Sequence, residues 1–176
     1  MWVGVDCGTQ STKVVIVDPA CGSIVAQGQR SHALQEGANG RREQDPQDWV
    51  AALEGAFADA LADSRLDPQR IAAIGVSGQQ HGMVVLDAAG VPLHPAKLWC
   101  DTETAPEAEE LSQTTGVPTP AGFTASKILW LKRHEPESFS RIARVLLPHD
   151  YMNLILTGEA AMECGDASGT GFFDPV

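Results

Sequence analysis

A carboxylate followed by glycine, hydroxyl and amide residues stands at the end of the first apolar run. Asp6 ends the run, and Gly8, Thr9 and Gln10 follow it in a tight turn. Glycine lets a backbone approach a ligand closely, and the N–H and hydroxyl groups of such a turn can face phosphate oxygens. A carboxylate at that position could direct Mg²⁺ to the same phosphates. The alternative is an ordinary hairpin with a polar tip, which the short motif by itself favours.

A second polar cluster follows the apolar run 71–77. Gln79, Gln80 and His81 stand between two glycines directly after that run. Amide and imidazole groups both donate and accept hydrogen bonds, as sugar hydroxyls require of their partners. The alternative is a polar loop in which His81 caps a backbone carbonyl, and the flanking glycines leave the two interpretations about even.

Two further segments carry candidate residues. Trp99 could stack on the face of a sugar while Asp101 accepts hydroxyl hydrogens. Alternatively, Trp99 lies in the core and Asp101 caps a helix that begins at Thr102, and both roles can coexist. Small residues crowd the segment 165–171, which suggests close backbone packing or a hinge, although a plain loop is the favoured interpretation.

The elements that must position these residues begin with strands. The runs 3–5, 13–17 and 23–27 are short, apolar and joined by tight turns, which predicts an antiparallel meander. The run 71–77 predicts a buried strand. The run 83–87 predicts a strand that pairs with 71–77 or continues beyond a break.

Helices dominate the later part of the chain. One is predicted earlier as well, with Asp45 as its N-cap and Pro46 in its first turn. The apolar periodicity then predicts four more helices, over roughly 102–115, 124–134, 138–143 and 149–156. Strands first, then alternating helix and strand, predict an α/β domain with a mixed sheet flanked by helices.

Composition narrows the class of protein. The 176 residues, 43% of them hydrophobic, suffice for one domain with a sizeable core. A net charge of −11 argues against nucleic acid or an anionic membrane as a partner, because both attract clustered Lys and Arg. No apolar run approaches the ~20 residues of a membrane span, and the first residues lack the basic region of a signal peptide. With four cysteines outside any zinc spacing, we expect a cytoplasmic protein.

Taken in order, seven segments resemble the FGGY family of carbohydrate kinases, and within it the kinases that act on D-xylulose. The resemblance covers nearly the whole chain. The segments are VDCGT (5–9), EQDPQDW (43–49), SGQQHG (77–82), KLWCD (97–101), AGFTASKILW (121–130), LPHDY (147–151) and DASGT (166–170).

The resemblance implies a ribonuclease H-like fold of the actin and hexokinase type. It also implies ATP-dependent phosphorylation of D-xylulose, or a similar ketopentose, to the 5-phosphate, with Mg²⁺ as the metal. Phosphoryl transfer of this kind needs in-line geometry, a metal ion and a base for the sugar hydroxyl. A homodimer is compatible with the family.

The resemblance also assigns roles to residues. Asp6 would position Mg²⁺–ATP, and the turn 8–10, with Gly8, Thr9 and Gln10, would face the phosphates. Gln79, Gln80, His81, Trp99 and Asp101 would bind the sugar. Glycerol kinases carry an Arg-Glu pair in the place of Gln80 and His81, so this departure favours a ketopentose.

Other departures bear on the completeness of the site. Relatives often carry Asn before the aspartate of the fourth segment and Arg two residues after it, where this sequence has Cys100 and Glu103. The family's catalytic base is an aspartate in a Gly-Gly-Asp motif, and this sequence contains no such motif. The resemblance therefore implies that residues 1–176 form the N-terminal sugar-binding portion of a kinase, with the ATP-binding domain outside the chain. We expect the chain by itself to be inactive.

Two other classes of function compete with this one. A sugar-binding or regulatory module could keep the kinase fold without catalysis. An actin-like structural protein is disfavoured, because a purely structural module has no need of the polar cluster at Gln79, Gln80 and His81.

Overall fold

A computed structural model describes residues 1–64 and 66–174. The chain forms two compact units. The first unit comprises Met1–Ala33 and Gln47–Gln79, and the second comprises Leu34–Pro46 and the residues from Gln80 onward. Among the described residues, no helix combines the length and the apolar character needed to cross a membrane.

The strands and helices alternate irregularly along the chain. In chain order the strands are β1 Trp2–Cys7, β2 Ser11–Asp18, β3 Ser23–Ser31, β4 Gln35–Glu36, β5 Arg42–Gln44, β6 Ala73–Gly78, β7 Val84–Leu86, β8 Ala96–Lys97 and β9 Arg144–Leu146. The helices are α1 Pro46–Ser64, α2 Ala105–Thr115, α3 Thr124–His134, α4 Pro136–Ser140, α5 Pro148–Thr157 and α6 Cys164–Ala167.

The first unit contains a four-stranded mixed sheet in the order β3-β2-β1-β6. The first three strands form the predicted antiparallel meander, and β6 lies parallel to β1. Valine and isoleucine side chains on one face are buried, among them Val3, Val5, Val14 and Ile16. The prediction of a mixed sheet is therefore confirmed, and the sheet sets the carboxyl ends of β1 and β6 side by side.

The expected buried strand at 71–77 is present as β6, but its burial was predicted wrongly. Most of its residues are exposed, and Ile74 keeps 46% of its surface accessible. The reason is that, within residues 1–64 and 66–174, β6 lies at the edge of the sheet and pairs only with β1. Apolar side chains alone could not distinguish an edge strand from a central one.

A close approach brings β3 against α1. A Cβ atom on Gly28 would overlap the carbonyl oxygen of Ala56, a buried residue in the middle of the helix. Only glycine allows the two backbones to come this close, because the obstacle is a main-chain atom that no rotamer change can move.

We expect Gly28→Ala to lower the free energy of unfolding by about 1–3 kcal/mol, the usual cost of overpacking. Urea denaturation would measure the loss. Gly75→Ala in β6 is the matched control, because a Cβ there meets no atom within 4 Å. Equal stability of the two variants would contradict the close approach.

The second unit contains two small sheets. β7 pairs antiparallel with β9, and β5 joins β4 to β8 in a three-stranded sheet. Of the two alternatives for 83–87, pairing with 71–77 is wrong. The segment forms β7 beyond a break, and β7 takes its partner from a segment some sixty residues later. Met83, Val85 of β7 and Leu131 of α3 form a buried hydrophobic cluster.

The predicted helices are present with shifted ends. α3 occupies 124–134 as expected, whereas the helix expected at 102–115 begins at Ala105 with Thr104, not Asp101, as its N-cap. Pro106 explains the shift, since its ring favours the first turn of a helix and Asp101 instead accepts a bond from Glu103 N in the preceding turn. The segment 165–171 is not a plain loop, because α6 and a 3₁₀ turn occupy most of it.

Candidate functional site

The turn after β1 presents the first candidate residues. Asp6 is the second-last residue of β1, and its side chain is half-exposed, 3.9 Å from Lys13 Nζ. Gly8 N donates to Ser11 O at 3.1 Å and closes the turn. The backbone oxygen of Gln10 accepts a bond from His32 N at 3.2 Å. A carboxylate with accessible oxygens therefore lies next to a well-held turn.

Gln79, which the sequence grouped with Gln80 and His81, contacts this turn. Its backbone N donates to Cys7 O at 2.9 Å, and its side-chain oxygen accepts a bond from Thr9 Oγ1 at 3.1 Å. Gln79 is buried and lies in the first unit, whereas Gln80 and His81 lie in the second. The parallel pairing of β1 with β6 produces this contact, because it sets Cys7 opposite Gly78.

His81 adopts a backbone conformation that is unusual for its residue type. Its φ of 60° lies in the left-handed region, which costs a non-glycine residue of order 1–3 kcal/mol. Thr124 Oγ1 donates to His81 O at 3.2 Å, and the rings of His81 and Phe123 lie 5.1 Å apart. A Cβ on Gly169 would overlap the imidazole, so the small residues of 165–171 give the close backbone packing that their density suggested.

The environment of His81 keeps its imidazole neutral. Burial lowers the pKa of His81, a nearby Asp166 opposes that shift, and the positive charge of Lys127 adds to it. A neutral ring has one N–H donor and one acceptor nitrogen. Its Nδ1 is buried and has no hydrogen-bond partner among the described residues. Because Nδ1 is buried, the ring can offer a ligand hydroxyl only Nε2, which donates or accepts according to the tautomer.

Trp99 and Asp101 differ in exposure. Trp99 keeps 48% of its surface accessible, and its carbonyl oxygen would lie 3.0 Å from a Cβ on Gly122. Asp101 is fully buried, and its oxygens accept bonds from Arg42 N at 2.8 Å and Glu103 N at 3.0 Å. The protein itself therefore uses both oxygens of this carboxylate.

The sequence reading missed Lys97, which lies among three carboxylates. Its fully buried Nζ lies 2.9 Å from Glu43 Oε1, 3.4 Å from Asp101 Oδ2 and 2.5 Å from Glu103 Oε2. It also lies 4.0 Å from the centre of the Trp130 ring, a cation–π distance. Burial disfavours the charge, but bonds to Glu103 and Glu43 outweigh it and raise the pKa of Lys97. The three acids are close enough to share a metal, but the Lys97 ammonium lies among them and offsets one of their three charges.

Lys127 is a second buried lysine, with a different set of partners. Its Nζ donates to the carbonyl oxygens of Ala121 at 3.1 Å, Gly122 at 2.5 Å and Phe123 at 3.1 Å. It makes no ion pair with any carboxylate in the described part of the chain. Burial lowers the pKa of Lys127 to about 7, an effect that Asp101 opposes and Lys97 strengthens.

This shift predicts a pH-dependent stability. Between pH ~7 and ~10.5 the unfolded chain holds more protons on Lys127 than the folded chain does, so the free energy of unfolding should rise with pH there. The rise should reach at most about 1.4 kcal/mol per pH unit. Urea denaturation across this range would measure it. Lys127→Met should flatten this pH profile. Lys132→Met, on the exposed side of α3, is the control and should leave it unchanged. Identical profiles for Lys127→Met and the parent would contradict the assignment of the pH dependence to Lys127.

Comparison with known proteins places the chain in a family. The family model described as "FGGY family of carbohydrate kinases, N-terminal domain" matches residues 1–175. The chain belongs to the FGGY family. It is 43% identical to the xylulose kinase of Haemophilus influenzae over 100% of this chain and 38% of that protein. It is 44% identical to the xylulose kinase of Streptomyces coelicolor over 97% of this chain and 36% of that protein.

Solved structures agree with the FGGY assignment. The chain superposes on a xyloylose kinase from Brucella ovis with a TM-score of 0.90 and 36% identity, covering 97% of this chain and 37% of that one. A xylulose kinase from Rhodospirillum rubrum gives 0.89 and 31%, covering 98% and 38%. The expected α/β fold of the actin and hexokinase type is confirmed. The chain spans less than two-fifths of the length of these relatives.

Proposed function

We propose that the full-length protein is a xylulose kinase, which transfers a phosphoryl group from ATP to D-xylulose to give D-xylulose 5-phosphate. Residues 1–176 would be its N-terminal, sugar-binding portion. The names of the FGGY relatives support this proposal. The observation that carries it is the half-buried imidazole of His81, held in a left-handed backbone conformation next to the exposed Gln80.

In this proposal the second unit binds the sugar. His81 exchanges hydrogen bonds with a hydroxyl, and the exposed Gln80 offers an amide beside it. The accessible ring of Trp99 stacks on the carbon face of the sugar. Asp101 supports the site indirectly, because its carboxylate accepts hydrogen bonds from the backbone N–H groups of Arg42 and Glu103 and so holds both residues in place. Glu103 in turn pairs with Lys97, which gives a structural reason for the departure from Arg at this position.

The first unit would face the phosphates. Gly8, Thr9 and Gln10 form the turn, and Gln79 holds the Thr9 hydroxyl. The half-exposed carboxylate of Asp6 fits Mg²⁺, which binds proteins through one or two carboxylates and keeps phosphates and waters as its other ligands. When bound, the metal would neutralise charge on the transferring phosphoryl group. Adenosine and the catalytic base would come from the part of the relatives' length that this chain does not span.

An ADP-release assay on the full-length protein tests the proposal. We expect turnover with D-xylulose and little with glycerol, because Gln80 and His81 replace the charged pair of glycerol kinases. Calorimetry with D-xylulose should be run in parallel. Sugar binding without ADP release would contradict the kinase assignment and favour a non-catalytic sugar-binding module.

A further inference from the structure

We propose that Lys127 is a positioning residue for the sugar site. Its side-chain nitrogen holds the turn 121–124, and that turn keeps His81 in its left-handed conformation. This inference rests on the proposed function for its meaning, but part of its test needs no substrate.

The turn 121–124 contacts two of the candidate sugar-binding residues. Phe123 packs against the His81 ring at 5.1 Å, and Thr124 Oγ1 donates to His81 O at 3.2 Å. Gly122 passes beneath Trp99, where even a methyl group would lie 3.0 Å from the carbonyl oxygen. Movement of Phe123 or Thr124 would therefore disturb contacts to His81.

Lys127 donates more side-chain hydrogen bonds to this turn than Ser126 does. Three successive carbonyl groups, those of residues 121, 122 and 123, point to one Nζ atom at 2.5–3.1 Å. Ser126 Oγ adds bonds to the first and third of them. Three carbonyl dipoles converging on one point repel each other unless a donor lies between them. The lysine supplies these donors, three N–H groups when it is protonated and two when it is neutral.

The left-handed backbone conformation of His81 requires that its neighbours be held in place. A non-glycine residue stays in the left-handed region only when its surroundings fix it there. Thr124 holds the carbonyl oxygen, Phe123 covers one side of the ring and Gly169 leaves room on another. Thr124 and Phe123 both depend on the turn, so losing Lys127 should let His81 relax away from the ligand.

The kinetic test compares Lys127→Met, which keeps the apolar stem, with Lys132→Met in the full-length protein. We expect Lys127→Met to raise the KM for D-xylulose about fivefold, with the KM for ATP unchanged and kcat within about twofold. Lys132→Met should change none of these. A lower melting temperature with an unchanged KM for D-xylulose, measured below that temperature, would overturn the proposal.

A second variant tests the link to His81 directly. Thr124→Val removes the hydroxyl that donates to His81 O but leaves Lys127 in place, so it serves even where Lys127→Met fails to fold. We expect a similar rise in the KM for D-xylulose. The KM of the double variant should be no higher than that of the more affected single variant, because both changes act through one turn. An unaltered KM in Thr124→Val, or full additivity in the double variant, would refute the mechanism.

Hydrogen exchange of the free protein provides the readout that needs no sugar. Lys127→Met should speed amide exchange in residues 79–83 and 121–126 while leaving β7 and β9 as protected as in the parent. Unchanged exchange at 79–83 would overturn the role of Lys127, whether or not D-xylulose is the substrate. Failure of the wild-type protein to phosphorylate D-xylulose would overturn only the proposed function.

Discussion

Replacing Asp6 by alanine in the full-length protein should lower kcat by at least about 100-fold and leave the affinity for D-xylulose within about twofold. The expected loss follows from removing a charged group that acts where charge develops in the transition state, a change that typically lowers kcat about 10²–10³-fold. Affinity should survive because the proposed sugar contacts come from His81, Gln80 and Trp99, whereas Asp6 is assigned to the metal and the phosphates. Calorimetry with D-xylulose and a steady-state ADP assay measure the two quantities separately.

Asp18→Ala is the matched control for this variant. Asp18 also lies at the end of a strand of the same sheet, but its carboxylate accepts a bond from Ala20 N in its own turn. We expect a small loss of stability and normal turnover. If Asp6→Ala weakened D-xylulose binding as steeply as it lowered kcat, Asp6 would belong to the sugar site and the division of roles between the units would be wrong.

The sequence predicted the meander well because its turns have specific chemistry. Asp18 accepts bonds from the backbone of residues 20–22, and Gly22 takes the positive φ that the turn requires. Local signals of this kind do not report long-range pairing. The partner of β7 lies some sixty residues away in β9, so its position could not be read from the apolar run 83–87.

The candidate site was predictable where residues cluster in sequence and not where they meet through the fold. His81 was found by its glycine flanks, but the pairing of β6 with β1 took Gln79 to Thr9 instead. Lys97 was missed because its carboxylate partners are spread over residues 43 to 103. Lys127 did carry a signal, since it lies three residues after Thr124 and four before Leu131, on the inward stripe of α3.

Replacing His81 by alanine should raise the dissociation constant for D-xylulose about 10-fold or more in the full-length protein. Each hydroxyl hydrogen bond lost to solvent costs ~0.5–1.5 kcal/mol, and a buried partner left unpaired costs more. Loss of one well-placed bond from the His81 imidazole can therefore account for about a tenfold change. The structural alternative, in which His81 serves only to hold its loop, predicts a lower melting temperature with little change in affinity.

Two companion variants separate these outcomes. Gly169→Ala keeps the imidazole but places a methyl group where the ring now lies, so it should displace His81 and weaken D-xylulose binding as well. His134→Ala removes a half-exposed histidine that stacks on Trp130 and has no proposed role at the sugar, so affinity should stay normal. Calorimetry and thermal denaturation of all three variants give affinity and stability independently. A His81→Ala protein that melts earlier yet binds D-xylulose normally would remove His81 from the site, because a residue that contacts the sugar cannot be lost without cost to binding.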